Sequence, residues 1–363
     1  MSEGYIGVRR DNTDVLSTRY NSYGFIQLLI HDDTICTMAR DFLRILILGC
    51  PGFACFECGK RFLQAQGHFA ASLYTFLVCI PVQILLTWYF VKHLGFGIAG
   101  IAASLSITRN MLPFGLVIYS RILTPGDCWR PMDAQIFQNW SKMVKLAIPS
   151  LLMLEADCIG FEILTILAGK FGTAELGAQA LSVTLCGFIY KVPLALSNAA
   201  ATEIGERLGE ASAKKAHDAA KISLWLAGSI GSVTGIVLLS LSHHVAQILT
   251  NDTSVIALVQ EIIPLIAVFQ LFDAFVGVMN GVIRGIGRQA FGAWVQTLGY
   301  YAVGPPLSIF TAFSLGWRLI GLWTGLSLAM VVIFILEAIY LWFMDWEQLV
   351  EEARRRNDME PHV

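Results

Sequence analysis

RLIGLWTGLSLAMVVIFILEAIYLWF, from Arg318 to Phe343, decides the fold class. It is almost wholly apolar, and as a helix rising about 1.5 Å per residue it is long enough to cross a hydrocarbon core of about 30 Å. Working outward, eight blocks of the same character precede it, at roughly 42–62, 69–91, 97–121, 144–168, 177–201, 222–242, 255–280 and 290–314. The whole chain of 363 residues is 55% hydrophobic and 14% charged, with a mean hydropathy of +0.62. Soluble domains carry about 25% charge, so this chain cannot wet a globular surface and soluble classes are excluded. The expected fold is an all-α polytopic membrane protein of about nine transmembrane helices, since a helix satisfies its own backbone in lipid. Pro149, Pro193, Pro264 and the Pro305-Pro306 pair fall inside these blocks, where membrane helices bend. Cys55 and Cys58 have redox-motif spacing but lie in an apolar block, and are read as helix packing. Residues 1–40 lack the charged start and apolar core of a signal peptide, and Gly24 to Ile30 is too short to span.

The basic residues are unevenly placed. Lys60, Arg61, Arg121, Arg130, Lys142, Lys145, Arg207, Lys214, Lys215, Lys221, Arg284, Arg288 and Arg354 to Arg356 fall in alternate connections and the tail. The opposite connections hold only Lys92, Lys170 and Arg318. The positive-inside rule puts the first set, and the C-terminus, in the cytosol. The tripeptide Asn251-Asp252-Thr253 then lies outside, where a glycosylation acceptor belongs, and Asn139-Trp140-Ser141 lies inside.

An internal repeat is visible. Leu94-Gly95, Gly100 and Leu105-Ser106 recur as Leu315-Gly316, Gly321 and Leu326-Ser327, at a constant offset of 221. Upstream, Gly67 and Gly287 each close a basic turn and each precedes a span holding a proline, Pro81 and Pro305. Spans one to three therefore match spans seven to nine, a parallel repeat of the kind transporters use, and the parent pattern is six plus six.

Three stretches carry a family resemblance: ALSVTLCGFIYKVPLALSNAAATEIGERLGE (Ala180–Glu210), GVIRGIGRQAFGAWVQTLGYYAVGPPL (Gly281–Leu307) and KRFLQAQGH (Lys60–His68). They resemble, in order, the eighth helix with its loop and the helix junctions of the two halves in multidrug-and-toxin extrusion (MATE) transporters of the eukaryotic branch. The similarity runs from about His31 to Phe343. It implies a two-lobe architecture in which the nine spans correspond to helices four to twelve, the first three being absent. The implied organisation is a polar segment 1–38, half an N-lobe at 39–123, a cytosolic linker 124–143, a six-helix C-lobe 144–343 and a charged cytosolic tail 344–363. The resemblance implies a secondary antiporter, not an enzyme. It would export small organic cations or xenobiotics in exchange for H⁺ or Na⁺, from a plasma or vacuolar-type membrane. No cofactor, metal or nucleic-acid partner is expected. A transport-defective fragment is the alternative reading of an incomplete N-lobe.

An ionisable side chain at bilayer depth costs at least about 2.5–3.5 kcal/mol and is a functional candidate by default. Glu155, Asp157 and Glu162 stand in the fourth span, within LLMLEADCIGFEILTILAG. Asp273 stands in the seventh, among Phe269, Leu271, Phe272 and Phe275. Carboxyls in such a setting can exchange a proton for a cation, which is what an H⁺-coupled exporter requires. Tyr190, Tyr300 and Tyr301 offer ring faces for cation–π contact, and Gln179, Asn198 and Thr202 offer polar groups to a cavity. The resemblance places Asp157 and Glu162 where eukaryotic members carry two acidic residues, and Asp273 where they carry one. A helical wheel instead pairs Glu155 with Glu162 on one face and puts Asp157 about 140° round from Glu162. Glu162 and Asp273 rank first, then Asp157, then Glu155. Arg109 and Asn110 are expected to reach for the interface. A lipid-linked-sugar flippase of the same superfamily would require a cationic cavity, whereas these charges are acidic. An intramembrane enzyme lacks any HExxH, GxSxG or paired-Asp motif in the spans.

Overall fold

The computed structural model describes residues 33–123 and 140–358, and among them all regular structure is helical. Two compact units divide between Met132 and Asp133.

In the first unit, α1 (Asp33–Ile47) and α2 (Cys50–Ala65) meet at a bend of 51°. Pro51, in the first turn of α2, has no backbone N–H to donate to the Ile47 carbonyl, so the helical ladder is interrupted there. α4 (Gly97–Leu123) braces the break: Ser106 Oγ donates to Ile45 O at 2.7 Å, and Asn110 Nδ2 to Leu48 O at 2.9 Å. Asn110 thus holds the break instead of reaching for the interface, while Arg109 lies over the Phe53 ring at 5.3 Å. α3 (Ala70–Trp88) runs into a π-turn, Tyr89–His93, and joins α4 through Gln83, Thr87 and Ser104, the two hydroxyls lying 2.8 Å apart.

The second unit holds α5 (Trp140–Gly169), α6 (Thr173–Ile189), α7 (Lys191–Gly209), α8 (Ala213–Ser240), short α9 (Ser242–Leu249), α10 (Thr253–Gly285), α11 (Gln289–Thr297), α12 (Gly304–Ile309), α13 (Arg318–Trp342) and α14 (Trp346–Asp358). α10 is the central element, with small residues where neighbours press closest. A methyl group at Gly281 would collide with the Ser197 carbonyl of α7, and one at Gly285 would lie 2.9 Å from Ala201 O. Ser197 Oγ donates to Gly277 O at 2.6 Å, closing the seam. On another side, Gly231 and Gly235 of α8 admit Leu271 and Ala267. Backbone approach of this kind drives helix association in lipid, where hydrophobic exclusion is absent. The aromatic centre of the unit joins Phe161, Phe269 and Trp323, with Phe269 and Trp323 edge-to-face at 5.6 Å.

The sequence repeat is also a backbone repeat. The π-turn Tyr89–His93 recurs at Phe310–Ser314, the same offset of 221. Each ends on a left-handed glycine, Gly95 (φ 68°) and Gly316 (φ 73°). Gly100 packs against Phe90 and Gly321 against Thr311–Ala312, the corresponding turn. Gly67 (φ 81°) and Gly287 (φ 76°) likewise share a turn, closed by His68 N to Leu63 O at 2.9 Å and Arg288 N to Ile283 O at 3.0 Å.

All nine expected blocks are helical, and among the described residues six helical stretches are long and apolar enough to span, or seven if the bent α1–α2 pair counts as one. The other two blocks differ in composition. α5 carries three carboxylates, and in residues 289–314 the apolar run is diluted by Gly299, Tyr300, Tyr301, Gly304, Pro305 and Pro306, besides carrying π-turns at Leu298–Val303 and Phe310–Ser314.

Two ionic clasps close the second unit's ends. At the end poor in basic residues, Arg318 pairs with Glu175, donates to Phe171 O at 3.1 Å and lies over the Phe171 ring. Nearby, Asp252 caps α10. The Ser254 hydroxyl and amide donate to its Oδ1 at 2.6 and 2.9 Å, and these bonds hold the carboxyl below its usual range. At the basic end, Arg288 donates to both oxygens of Glu352 at 2.9 Å, and Leu349 is buried. The segment read as a charged tail is therefore a docked amphipathic helix over Trp346–Asp358.

The glycine seam gives a direct test. Gly281→Ala is expected to destabilise the protein by about 1–3 kcal/mol through overpacking. Gly187→Ala, at an open helical position, should be neutral or stabilising by up to about 1 kcal/mol. Thermal unfolding in detergent measures both, and equal shifts would remove the seam from the account of stability.

Candidate functional site

A polar cleft lies inside the second unit, and the helix periods explain its makeup. On α5, the stripe Met153, Asp157, Gly160 and Leu164 recurs every three or four residues and faces inward. On α10 the corresponding stripe is Asp273, Gly277, Asn280 and Arg284. Tyr190 enters from the break between α6 and α7, Gln296 from α11, and Tyr300 from the π-turn that follows it. Met330 of α13 closes the far side.

Several of these positions rest on glycine. A Cβ at Gly160 would sit 2.7 Å from the Tyr300 ring, and one at Gly277 would sit 2.9 Å from the Tyr190 ring. Each tyrosine ring therefore presses against an opposing helix where a larger residue would block it. Asp273 is 7% exposed and shares the lining of the cleft with Asp157. Asp157 interacts with the Tyr300 hydroxyl, while its Oδ1 and the Oδ1 of Asn280 are buried without hydrogen-bond partners. Tyr300 also reaches Met330 Sδ at 3.9 Å. At the basic end, Arg284 donates to Ser197 Oγ at 2.9 Å and to Asn198 Oδ1 at 3.4 Å, so its charge is tethered to α7. The enclosed volume is about 30 Å³, room for a water or two and too small for an organic cation in this conformation. The oxygen donors suit a proton or a small hard cation.

The structure brings together Asp157, Asp273, Tyr190 and Tyr300, with Asn198 at the edge through Arg284. It does not bring in the others. Glu155 and Glu162 are exposed on α5, because the face that packs against α11 and the π-turn after it is the one carrying Asp157. The wheel separated these residues correctly, but the wheel alone does not say which face turns inward. Gln179 is fully buried elsewhere, accepting from Trp323 Nε1 at 2.8 Å. Thr202 donates to Asn198 O within α7, and Tyr301 packs on the apolar core.

Sequence reading missed Asn280, Gln296 and Glu337. Glu337 of α13 is 0% exposed, accepts from Gln296 Nε2 at 3.1 Å, and has its Oε2 unpartnered. Gln296 itself lines the cleft, so Glu337 stands directly behind it. The available signal was a lone carboxylate deep in the most apolar span, in ILEAIY.

Comparison with known proteins agrees with this geometry. The MatE family model matches residues 16–89 and 149–310. An uncharacterised transporter of Schizosaccharomyces pombe is 32% identical over 92% of this chain and 62% of its own length. Multidrug and toxin extrusion protein 2 of Mus musculus is 32% identical over 93% of this chain and 59% of its own. The chain thus spans about six tenths of the length of these relatives. The crystal structure of the eukaryotic MATE transporter AtDTX14 superposes with a TM-score of 0.90 over 94% of this chain and 77% of that one, at 24% identity, and shares the fold. A membrane-spanning helical unit built around buried carboxyls, together with these matches, shows that this chain belongs to the MATE family of transporters, and not to a family of enzymes.

Proposed function

We propose that the chain works as a secondary antiporter that exports small organic cations in exchange for H⁺, with Asp157 and Asp273 as the shared proton- and cation-responsive pair. The observation that carries this reading is the placement of both carboxyls in the lining of one cleft, with Asp157 Oδ1 buried and lacking a donor. Two negative charges at close range in a dry site are costly. One proton, or one cation, relieves that cost, so the two ligands compete. Tyr190 and Tyr300 supply ring faces beside the carboxyls. Binding an organic cation requires the cleft to widen, and the π-turn that carries Tyr300 is the place for that motion, since π-turns interrupt the regular ladder. The name of the mouse relative, multidrug and toxin extrusion protein 2, supports xenobiotics as the substrate class.

The sidedness proposed is that of the sequence reading: the basic end of the second unit, with Arg284, Arg288 and α14, faces the cytosol. Arg284 then stands at the cytosolic mouth of the cleft, where it can exclude small cations while the cleft is closed. Residues 144–343 are proposed as the lobe that holds the site, and residues 39–123 as part of the other. A flippase of anionic lipid-linked sugars is disfavoured, because Arg284 is the lone cation in the cleft lining against Asp157 and Asp273.

In reconstituted vesicles, Asp157→Asn and Asp273→Asn are each expected to abolish cation efflux driven by a pH gradient while leaving the unfolding temperature close to that of the unchanged protein. Glu162→Gln should lower efflux without abolishing it. Normal transport in both aspartate variants would remove the pair from the mechanism, and full loss in the Glu162 variant alone would move the site to the exposed face of α5. Efflux should rise as the pH on the receiving side falls, because protons there displace the cation, and should collapse when the gradient is dissipated. A response to a Na⁺ gradient but to no pH gradient would replace H⁺ as the coupling ion.

A second expectation concerns positioning. Gly277→Ala pushes the Tyr190 ring into the cleft and should reduce efflux several-fold, mainly by weakening substrate affinity. If the Gly277 variant transports like the unchanged protein, Tyr190 does not shape the site.

A further inference from the structure

On the outside of the second unit, away from the cleft, a much larger groove of about 1130 Å³ runs between α8, α10 and α13. One wall is a stripe of α8 that starts at Lys221 and continues through Trp225, Gly228 and Ser232. Phe275 of α10 floors it, its ring lying against the Gly228 backbone. Leu341 and Trp342 of α13 form the facing wall. The groove exists because α8 offers glycine and serine where larger side chains would have filled the space.

Three features restrict the occupant. The groove is open along its length and apolar, with Trp225 79% and Trp342 84% exposed, so it faces hydrocarbon. From Lys221 to Val233 the stripe rises about 18 Å at 1.5 Å per residue, close to the roughly 15 Å of one leaflet's hydrocarbon. Its charges lie at one end only. His217 packs on the Trp346 ring of α14 at 5.3 Å, and the exposed Lys221 ammonium has no ion-pair partner among the described residues. Asp218, Asp345 and Glu347 lie nearby in sequence but do not line the groove. A cationic end, tryptophans at that end, and an apolar trough one leaflet long together match a phospholipid with a negative headgroup.

We propose that this groove is a binding site for one anionic glycerophospholipid, its phosphate and headgroup at Lys221 and His217 and an acyl chain along Gly228 and Ser232. The ligand would brace α10 from outside, on the face opposite Asp273 and Arg284. The proposal rests on the membrane-spanning reading. The proposed sidedness enters only in naming the cytosolic leaflet as the source, and reversed sidedness would change the leaflet but not the headgroup.

The test uses the full chain purified in detergent and titrated with dioleoyl phosphatidylserine or dioleoyl phosphatidylcholine, bound lipid being counted by native mass spectrometry. Phosphatidylserine should be retained at about tenfold lower concentration than phosphatidylcholine, the scale expected of one or two cations near a headgroup. Lys221→Glu combined with His217→Ala should erase that preference. Ser232→Phe, which fills the trough and leaves the charges, should weaken retention of both lipids. These positions are exposed or half-buried, and unchanged unfolding temperatures would establish that the variants fold. Equal retention of the two lipids, a preference that survives the charge variant, or retention untouched by Ser232→Phe would each overturn the proposal. Displacement of bound phosphatidylserine by tetraethylammonium would reassign the groove to substrate and overturn it as well. Because none of these readouts measures transport, a failure here is distinct from a failure of the Asp157–Asp273 pair.

Discussion

The close approach of α7 to α10 is the constraint on which the second unit depends. Lipid tails are as apolar as leucine, so nothing expels these helices from the bilayer into one another. What holds them is contact area and hydrogen bonding, and both require that the backbones meet. Gly277, Gly281 and Gly285 allow that meeting along three turns of α10, and Ser197 answers with a hydrogen bond to Gly277 O. The same seam fixes the site: it sets Tyr190 against Gly277 and positions Ser197 and Asn198 to hold Arg284. Packing and polarity are therefore not separate layers here, because residues that bring the helices together also aim the groups of the cleft.

The irregular backbone follows a similar economy. A π-turn leaves amides and carbonyls out of the α-helical ladder, which lipid would penalise. In this chain those turns are faced by other helices. Thr311 Oγ1 donates to Gly321 O at 2.6 Å and Ser308 Oγ to Leu322 O at 2.8 Å. Gly321 and Gly325 permit the contact, and Gly100 does the same for the earlier turn. That both copies keep the π-turn, the left-handed glycine after it and the packing glycine beyond indicates that the irregularity is part of the repeat unit.

The cleft is polar out of proportion to its size. Asp157, Asp273, Arg284, Asn280 and Gln296 are among its lining residues, and Glu337 stands behind Gln296. Such a group of charges is a poor device for stability, since desolvation offsets most of what the pairs return. It is suited to a site whose occupancy must change with protonation and with cation. Glu337, which accepts from Gln296, extends the same polar network into α13.

Much of this was legible in the linear chain. The membrane class, the helical blocks, the repeat and the candidacy of Asp157 and Asp273 follow from hydropathy, glycine placement and the cost of charge in lipid, all local properties of sequence. Hydropathy also marked the α5 region and residues 289–314 as spans, but could not register the π-turns, because a π-turn differs from an α-turn in hydrogen bonding and not in composition. The choice among the carboxyls of α5 was beyond sequence for another reason. Glu155, Asp157 and Glu162 are all acidic on one helix, and only the rotation set by contact with α11 and the π-turn after it turns Asp157 inward and leaves the glutamates exposed. Gln179 shows the same limit, since a buried amide reads alike whether it meets a substrate or, as here, the Trp323 indole. Sequence determined which residues are costly in a membrane; the tertiary structure alone decided which of them share a cavity, because helix rotation depends on long-range packing that no local periodicity encodes.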